Sequence, residues 1–226
     1  MTRQKFDLSL VPPAPDLSFE APLWAAGLLA AGIDEAGRGA WAGPVAAGAV
    51  ILPPDASLMR TLNGVRDSKE MSPASREEWA GAICRHALAW GVGMASNEEI
   101  DRLGILPATR LAATRALAAL EPPPAHLLLD FITLPGNPLP QTPLIKGDAR
   151  SLSIACASVL AKTRRDAWMV EAETAFPGYG FARHKGYGVS AHRQALQRLG
   201  PCPLHRRSFA PLAAPGLFDA QNLSSS

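Results

Sequence analysis

The stretch AGIDEAGRGAWAGPVAAGAVIL, residues 31–52, decides the fold of this chain. Two apolar runs enclose a pair of carboxylates, Asp34 and Glu35, and an arginine between two glycines, Gly37-Arg38-Gly39. Apolar residues drive burial, and an ionised carboxylate is costly to bury without a partner. Acids between two buried runs therefore indicate a functional site where the first run ends.

Length and charge favour one α/β domain that binds a polyanion. The chain has 226 residues, 47% of them hydrophobic, and a formal net charge of +2. Residues 146–210 hold 11 Lys+Arg against 4 Asp+Glu, whereas the remainder holds 11 against 16. This asymmetry predicts a basic face beside a carboxylate-rich centre, although a solvated basic helix face would give the same pattern.

Cysteine usage and hydropathy predict a cytoplasmic protein that does not enter a membrane. The three cysteines, Cys84, Cys156 and Cys202, are far apart and odd in number, which favours reduced thiols over disulfides or a zinc knuckle. The early apolar run at residues 21–33 is shorter than the about 20 residues that a membrane span needs.

The ends of the chain look different from its centre. Residues 1–27 contain Pro12, Pro13 and Pro15 and are predicted to be a poorly ordered leader. Residues 28–212 form the predicted domain, and residues 213–226 a disordered tail. We expect the protein to be monomeric.

Strands come first and then alternate with helices, which predicts a mixed β-sheet flanked by helices. Ser72 and Pro73 begin a predicted helix that extends to about His86, and Ser96 with Glu99 forms a capping box that begins another. A proline-rich loop is predicted after residue 130. The predicted strands are residues 28–34, 45–52, 88–95 and 126–130; further helices are predicted at residues 107–121, 151–175 and 189–199, the first with Leu111, Thr114, Leu117 and Leu120 as its apolar face.

Two further acids are candidates for the same site. Asp130 ends an apolar strand, and Asp166 continues the inward stripe of the helix at residues 151–175, which is formed by Leu152, Ala155, Val159, Lys162, Asp166 and Met169. Either acid alone could instead be a capping group or half of a salt bridge. Together with Asp34 and Glu35 they would repel one another, and a hard divalent cation such as Mg²⁺ or Mn²⁺ would remove that repulsion.

Gly37-Arg38-Gly39 has two interpretations. A dinucleotide-binding G-x-G-x-x-G turn must begin a helix, whereas Pro44 and the following apolar run predict a strand. The alternative is that the two glycines let backbone amides approach a sugar–phosphate closely, with the guanidinium on a phosphate. Beside a metal site, this turn could recognise a ribose 2′-hydroxyl.

The chain resembles the bacterial type 2 ribonuclease H (ribonuclease HII) family over residues 29–212. The motifs that carry the resemblance are GIDEAGRG (32–39), AGPV (42–45), DSK (67–69), LLLD (127–130), KGD (146–148), SIACASVLAKTRRD (153–166), YGFARHKGYG (179–188) and HRRSF (205–209). The chain departs from the usual family pattern at Ala40-Trp41, Gly104 and Phe131, and Phe131 could alter packing at the metal site.

This resemblance implies a ribonuclease H-like mixed sheet flanked by helices, with a helical C-terminal substrate-binding region at about residues 176–212. It implies an endonuclease that hydrolyses the RNA strand of RNA–DNA hybrids and cuts at ribonucleotides embedded in duplex DNA, with two divalent cations and 5′-phosphomonoester products, in DNA replication and ribonucleotide excision repair. The implied catalytic and metal-binding residues are Asp34, Glu35, Asp130 and Asp166, and the implied 2′-hydroxyl sensor is Gly37-Arg38-Gly39.

Basic residues in these motifs are candidates for phosphate contacts, which supply affinity and salt dependence. They are Lys69, Lys146, Arg165, Arg183, His184, Lys185, Arg206 and Arg207. Tyr187 is a candidate for stacking on a sugar or base, or for packing. The C-terminal GLFDAQNL (216–223) resembles short sliding-clamp peptides. The rival functions are a noncatalytic hybrid-binding module, which would not need four acids, and another metal-dependent nuclease or integrase on the same fold.

Overall fold

A five-stranded mixed sheet forms the centre of the protein, seen in a computed structural model that describes residues 6–7, 11–66, 68–130 and 132–213. The strand order is β3-β2-β1-β4-β5. β1 pairs antiparallel with β2, and β2 with β3, whereas β4 runs parallel to β1 and β5 parallel to β4. The predicted mixed sheet is thus confirmed. The strands are β1 (Ala30–Ala36), β2 (Val45–Ile51), β3 (Ala89–Ala95), β4 (His126–Asp130) and β5 (Gln141–Leu144).

Helices cover both faces of this sheet. They are α1 (Glu20–Ala25), α2 (Leu58–Thr61), α3 (Pro73–His86), α4 (Asn97–Leu103), α5 (Ile105–Leu117), α6 (Leu152–Ala175), α7 (Phe181–His184) and α8 (Ser190–Leu199). The predicted cap at Ser72 and the capping box of Ser96 and Glu99 are both present. β5 lies where a proline-rich loop was predicted. Its Pro143 has no N–H group, which is tolerated because β5 is an edge strand and is paired on one side only.

The long helix α6 packs directly on β1 and β2 because glycines face it. A Cβ at Gly32 would lie 2.2 Å from the backbone of Ser153, and one at Gly48 would lie 2.3 Å from the Ala157 carbonyl. The inward stripe predicted for this helix is buried at Leu152, Ala155, Val159, Asp166 and Met169. This close contact brings the later turns of α6 to the edge of the sheet at which β1 ends.

The helix α5 covers the opposite face, and the predicted apolar stripe is right at Leu111, Leu117 and Leu120, which pack in the core on this face, but wrong at Thr114. Its buried side chains are mainly alanines, at positions 108, 112, 113 and 116, whereas Thr114 is exposed and Leu111 is half-buried. Gly91 and Gly93 of β3 make this possible, because a Cβ on either would lie 2.4 Å or less from an α5 carbonyl. Small residues, which the stripe did not include, therefore form the closest part of this contact.

The prediction of a poorly ordered leader is wrong for residues 16–26. The helix α1 lies there, and the buried Glu20 carboxylate accepts hydrogen bonds from Ser151 Oγ (2.6 Å), Ser153 N (2.9 Å) and Ser153 Oγ (2.6 Å). Glu20 thus satisfies donors at the beginning of α6. The predicted tail, apart from residue 213, and the GLFDAQNL segment lie outside the described residues.

The C-terminal region packs on the segment that follows β1. Tyr179, Phe181 and Leu196 form an apolar cluster with Ala42 and Met169. The main chain of residues 40–43 also bonds to both C-terminal loops, with Trp41 N donating to Gly186 O and Gly43 N to Leu204 O. No helix in the described part of the chain is long and apolar enough to cross a membrane.

Candidate active site

Three carboxylates converge where the parallel strands β1 and β4 end. Asp34 belongs to β1, Asp130 ends β4, and Asp148 lies in the 3₁₀ turn Gly147–Ala149 after β5. One oxygen of each lies within 4.8 Å of the others. Gly147 N donates a 2.7 Å hydrogen bond to Asp130 Oδ1, which fixes the turn that carries Asp148.

Burial and mutual repulsion disfavour ionisation of this cluster. Burial, followed by the charges of Glu35 and Asp130, raises the pKa of Asp34 well above its usual value. Burial and then the Asp148 charge raise the pKa of Asp130 to about 6. The carboxylates are thus held close together at a cost to the protein, and the attraction of a cation would offset it.

The donor set fits a hard divalent cation. All three groups offer carboxylate oxygens, which Mg²⁺ and Mn²⁺ prefer. Asp34 Oδ2 is buried without a hydrogen-bond partner among the described residues. The Ser158 hydroxyl lowers the pKa of Asp34, but its hydrogen bond joins it to Ser68 Oγ at 2.9 Å. An orphaned buried oxygen beside two further acids is what a cation site requires.

Asp166, predicted as the fourth acid, does not join the cluster. Its Oδ2 accepts a 3.0 Å hydrogen bond from Arg76 Nη2, and its Oδ1 accepts one of 2.8 Å from Lys162 Nζ. The residue faces inward as predicted and lines the same cavity. Both of its oxygens are occupied by cationic partners, and Asp148 rather than Asp166 is the third member of the carboxylate cluster.

Glu35 lies beside the cluster and is paired with the arginine of the glycine turn. Arg38 Nη1 donates a 3.0 Å hydrogen bond to Glu35 Oε1. Burial raises the pKa of Glu35, and the bond and charge of Arg38 oppose that shift. Glu35 is therefore available at the cavity surface in a tethered orientation.

A cavity of about 680 Å³ contains most of the predicted site. It brings the acids Asp34, Glu35, Asp130 and Asp166 together with the Gly37-Arg38-Gly39 turn. The lining also includes the predicted substrate-binding residues Lys69, Arg183, His184, Lys185 and Tyr187, and Lys69 Nζ lies 3.6 Å from Asp148 Oδ2. Acidic and basic side chains thus line the same cavity.

Four predicted phosphate contacts lie elsewhere. Arg165 and Arg206 are fully buried, and their guanidinium groups donate to backbone carbonyls, so a direct phosphate contact by either side chain is wrong. Arg207 is exposed and donates to Pro201 O, outside the lining of the cavity. Lys146 lines a neighbouring cleft of about 600 Å³, which shares Asp130 with the first cavity.

Sequence reasoning missed three residues of this site. Asp148 was within the KGD motif, yet a turn has no periodicity that would mark one acid as inward-facing. Arg76 and Lys162 neutralise Asp166, and Arg76 also donates to the carbonyls of Ser68 and Met71. The lysine was noted on the inward stripe and could have suggested an i,i+4 ion pair.

The sequence and the fold are similar to those of known proteins. A family model described as Ribonuclease HII matches residues 31–212. A ribonuclease HII of Thermus thermophilus is 52% identical over 194 residues, 86% of this chain and 92% of that protein. The ribonuclease H2 structure from Pyrococcus horikoshii has a TM-score of 0.69 at 22% identity, covering 82% of this chain and 96% of the other. A PCNA:RNase HII complex from Archaeoglobus fulgidus gives a TM-score of 0.64 at 24% identity, covering 78% and 91%.

Proposed function

Because the chain belongs to the ribonuclease HII family, enzymes that cleave RNA in RNA–DNA hybrids, we propose that it also cuts at single ribonucleotides within duplex DNA. The proposed products are 5′-phosphomonoesters, and the proposed cofactors are two divalent cations, Mg²⁺ or Mn²⁺. The observation that carries the proposal is the cluster of Asp34, Asp130 and Asp148, of which Asp34 and Asp130 line the same cavity as the Gly37-Arg38-Gly39 turn.

The carboxylates supply the cation-binding part of this proposal. Asp34, Asp130 and Asp148 would hold the cations, with Glu35 as a further oxygen donor beside them. When bound, the cations supply an activated water and charge stabilisation at the leaving oxygen of the phosphodiester. Asp166 is assigned to the wall of the cleft, where it orients Arg76 and Lys162.

The two clefts suggest the path of the nucleic acid. They share Lys69 and Asp130, so a strand that passes from one to the other crosses the carboxylate cluster. Lys146 and Arg66 line one cleft, and Arg183 and Lys185 the other. Phosphates on both sides of the scissile bond would therefore meet cations, which gives affinity without sequence preference.

The ribose preference is assigned to the glycine turn. Arg38, Gly39 and Tyr187 line the same cavity as Asp34 and Asp130, so a ribose next to the scissile phosphate could contact main chain at the turn. A 2′-hydroxyl both donates and accepts hydrogen bonds, and a backbone turn can satisfy it in a way that a deoxyribose cannot use.

We further propose that the enzyme acts as a cytoplasmic monomer that can bind a sliding clamp. The three cysteines are unpaired thiols, in keeping with a reducing compartment. The clamp proposal is supported by the resemblance of residues 216–223 to clamp-binding peptides and by the fold shared with the Archaeoglobus protein, which was solved in complex with PCNA.

The decisive experiment exchanges single acids in the cleft. Asp148→Asn should lower cleavage of a duplex that contains one ribonucleotide by at least about 100-fold, equivalent to about 2.7 kcal/mol of transition-state stabilisation. Asp166→Asn should cost less than about tenfold, because Asn can still accept a hydrogen bond from one of its cationic partners. Calorimetric titration with Mn²⁺ should show weakened binding in the first variant only.

The same assay includes an RNA–DNA hybrid and an all-DNA duplex. Wild-type cleavage of the all-DNA duplex at a comparable rate would refute ribonucleotide specificity. If Asp166→Asn abolished Mn²⁺ binding while Asp148→Asn preserved it, the sequence-based assignment of the fourth acid would be restored and the present one rejected.

A further inference from the structure

Two arginines are buried beneath the glycine turn with carbonyl groups as their acceptors. Arg165 and Arg206 both have 0% exposure. Neither forms an ion pair within 4 Å in the part of the chain that the structure describes. Fully buried arginines are rare, and an apolar side chain of similar size would be cheaper to bury. Such a pair needs a reason beyond filling space.

Arg206 donates hydrogen bonds to carbonyl groups of the glycine turn and of the segment that follows it. Its Nη2 donates to Gly37 O at 2.8 Å and to Pro44 O at 3.1 Å, its Nη1 donates to Arg38 O at 2.9 Å, and its Nε to Gly43 O at 3.0 Å. One rigid, planar fork thereby fixes four carbonyls on both sides of the turn. A lysine, with donors radiating from one point, could not reproduce this pattern.

Arg165 connects the same segment to Lys185, which also lines the cavity. Its Nε donates to Pro44 O at 2.9 Å, its Nη2 to Ala42 O at 3.3 Å, and its Nη1 to Lys185 O at 3.0 Å. A Cβ on Gly37 would lie 1.8 Å from Arg165 Nε, so the arginine occupies space that only a glycine leaves open. Its guanidinium carbon also lies 5.3 Å from the ring centroid of Tyr187.

The carbonyl contacts dictate where the amides of the turn point. In a trans peptide the C=O and the following N–H point in opposite directions. Because the carbonyls of Gly37 and Arg38 point to Arg206, the N–H groups of Arg38 and Gly39 point away from it. These residues line the cavity, and among the described residues neither N–H donates a hydrogen bond within the protein.

We propose that Arg165 and Arg206 are positioning residues that set ribose specificity, by holding the Arg38 and Gly39 amides toward the cavity at a fixed distance from Tyr187. This inference rests on the proposed function and extends it from the residues that touch the ribose to the pair that orients them. The buried charges of Arg165 and Arg206 have a second effect. Substrate phosphates bound at the turn attract both guanidinium groups and so offset the repulsion between them.

The first test substitutes Arg206→Lys, which keeps the charge and removes the fork. Dissociation constants are measured in EDTA, so that nothing is hydrolysed, for a duplex with one ribonucleotide and for the matching all-DNA duplex. The preference for the ribonucleotide duplex should fall at least about tenfold, equivalent to about 1.4 kcal/mol, with all-DNA affinity changed less than about threefold. Arg198→Lys is the matched control, because this exposed arginine also donates to a carbonyl, Gly178 O, and should keep the wild-type preference.

A second measurement needs no variant and so does not depend on folding of Arg206→Lys. Amide hydrogen exchange of wild-type protein should show fast exchange at Arg38 and Gly39 in the free protein. The ribonucleotide duplex should protect both amides, and the all-DNA duplex should not. Equal protection by the two duplexes, or an unchanged preference in folded Arg206→Lys, would overturn the proposal. A wild-type protein without any preference for the ribonucleotide duplex would instead reject the proposed function itself.

Discussion

Replacing Gly39 with alanine should block ribose recognition without disturbing the fold. A Cβ built at Gly39 meets no protein atom within 4 Å, and the residue has no positive φ. An alanine is therefore compatible with the backbone, and the free energy of unfolding should stay unchanged or rise by up to about 1 kcal/mol. The added methyl group nevertheless stands at the cavity surface, where the main chain of the turn has to approach the sugar.

The expected effect on catalysis follows from one lost hydrogen bond. Leaving a buried donor or acceptor unpaired costs about 1–3 kcal/mol, which corresponds to about 5- to 150-fold. Cleavage of the duplex with one ribonucleotide should fall by a factor in that range, while the urea midpoint is preserved. Mn²⁺ binding should also be preserved, because the carboxylates are untouched.

Gly37→Ala provides the contrast, and Gly136→Ala the control. Gly37 has a φ of +91°, and its Cβ would collide with the buried Arg165, so this variant should lose both activity and at least about 1–2 kcal/mol of stability. A Cβ at Gly136, like one at Gly39, meets no atom within 4 Å, but this residue lies outside the cavity lining, and its alanine variant should behave as wild type. If Gly39→Ala cleaved the ribonucleotide duplex as fast as Gly136→Ala, close approach of the main chain to the ribose would be refuted.

Two further predictions concern stability. Burial lowers the pKa values of His192 and His205, whose Nε2 atoms lie 3.1 Å apart, to about 4. The unfolded chain, with a histidine pKa of about 6.5, therefore binds more protons than the folded protein below that pH, and the free energy of unfolding should fall by up to about 3 kcal/mol per histidine between pH 6.5 and 4. Urea unfolding at pH 7.5 and 4.5 measures this loss. His205→Gln should reduce the loss, and the exposed His86→Gln should not. Equal losses in both variants would contradict its assignment to the buried histidines. Glu20→Ala leaves donors at the beginning of α6 unpaired and should lower the free energy of unfolding by about 2 kcal/mol or more. The control variant Glu77→Ala, at an exposed residue, should change it little. Equal urea midpoints for the two variants would show that α1 is dispensable.

Local signals were sufficient for much of the architecture. Ser72 with Pro73, and Ser96 with Glu99, mark helix beginnings through contacts that span only a few residues, so the sequence alone identifies them. The Asp34–Glu35 pair was likewise identified from the apolar runs around it. Each of these features is decided by neighbours in the chain.

The fourth acid could not be chosen from the sequence, because its environment is assembled from distant segments. Periodicity placed Asp166 on the inward stripe of α6, and it does face inward. Whether an inward acid meets a cation site or a basic side chain depended on Arg76, which is 90 residues away in the chain. Asp148 had no stripe to mark it, and only the parallel pairing of β4 with β5 brings its turn beside Asp130.

The burial of Arg165 and Arg206 could not be predicted from the sequence either. Their motifs suggested a basic surface, and charge alone favours exposure. Both side chains are instead buried, and they donate hydrogen bonds to carbonyl groups that lie 121 to 169 residues away in the sequence. Guanidinium donors can be satisfied by main chain, a possibility that residue type and net charge do not reveal.

The glycines of the 31–52 stretch connect the core to the cleft. Gly32 and Gly48 let α6 lie directly on the sheet, and Gly37 leaves the space that Arg165 of the same helix fills. The helix that packs against β1 therefore also supplies a cation beneath the turn that follows β1. Gly32 lies two residues before Asp34 and Gly37 three residues after it, so the contacts of α6 position both the strand that carries Asp34 and the turn that follows it. Under the proposed function, a ribose held by the turn would thereby be placed at a set distance from the acids, which is what selective cleavage beside a ribonucleotide requires.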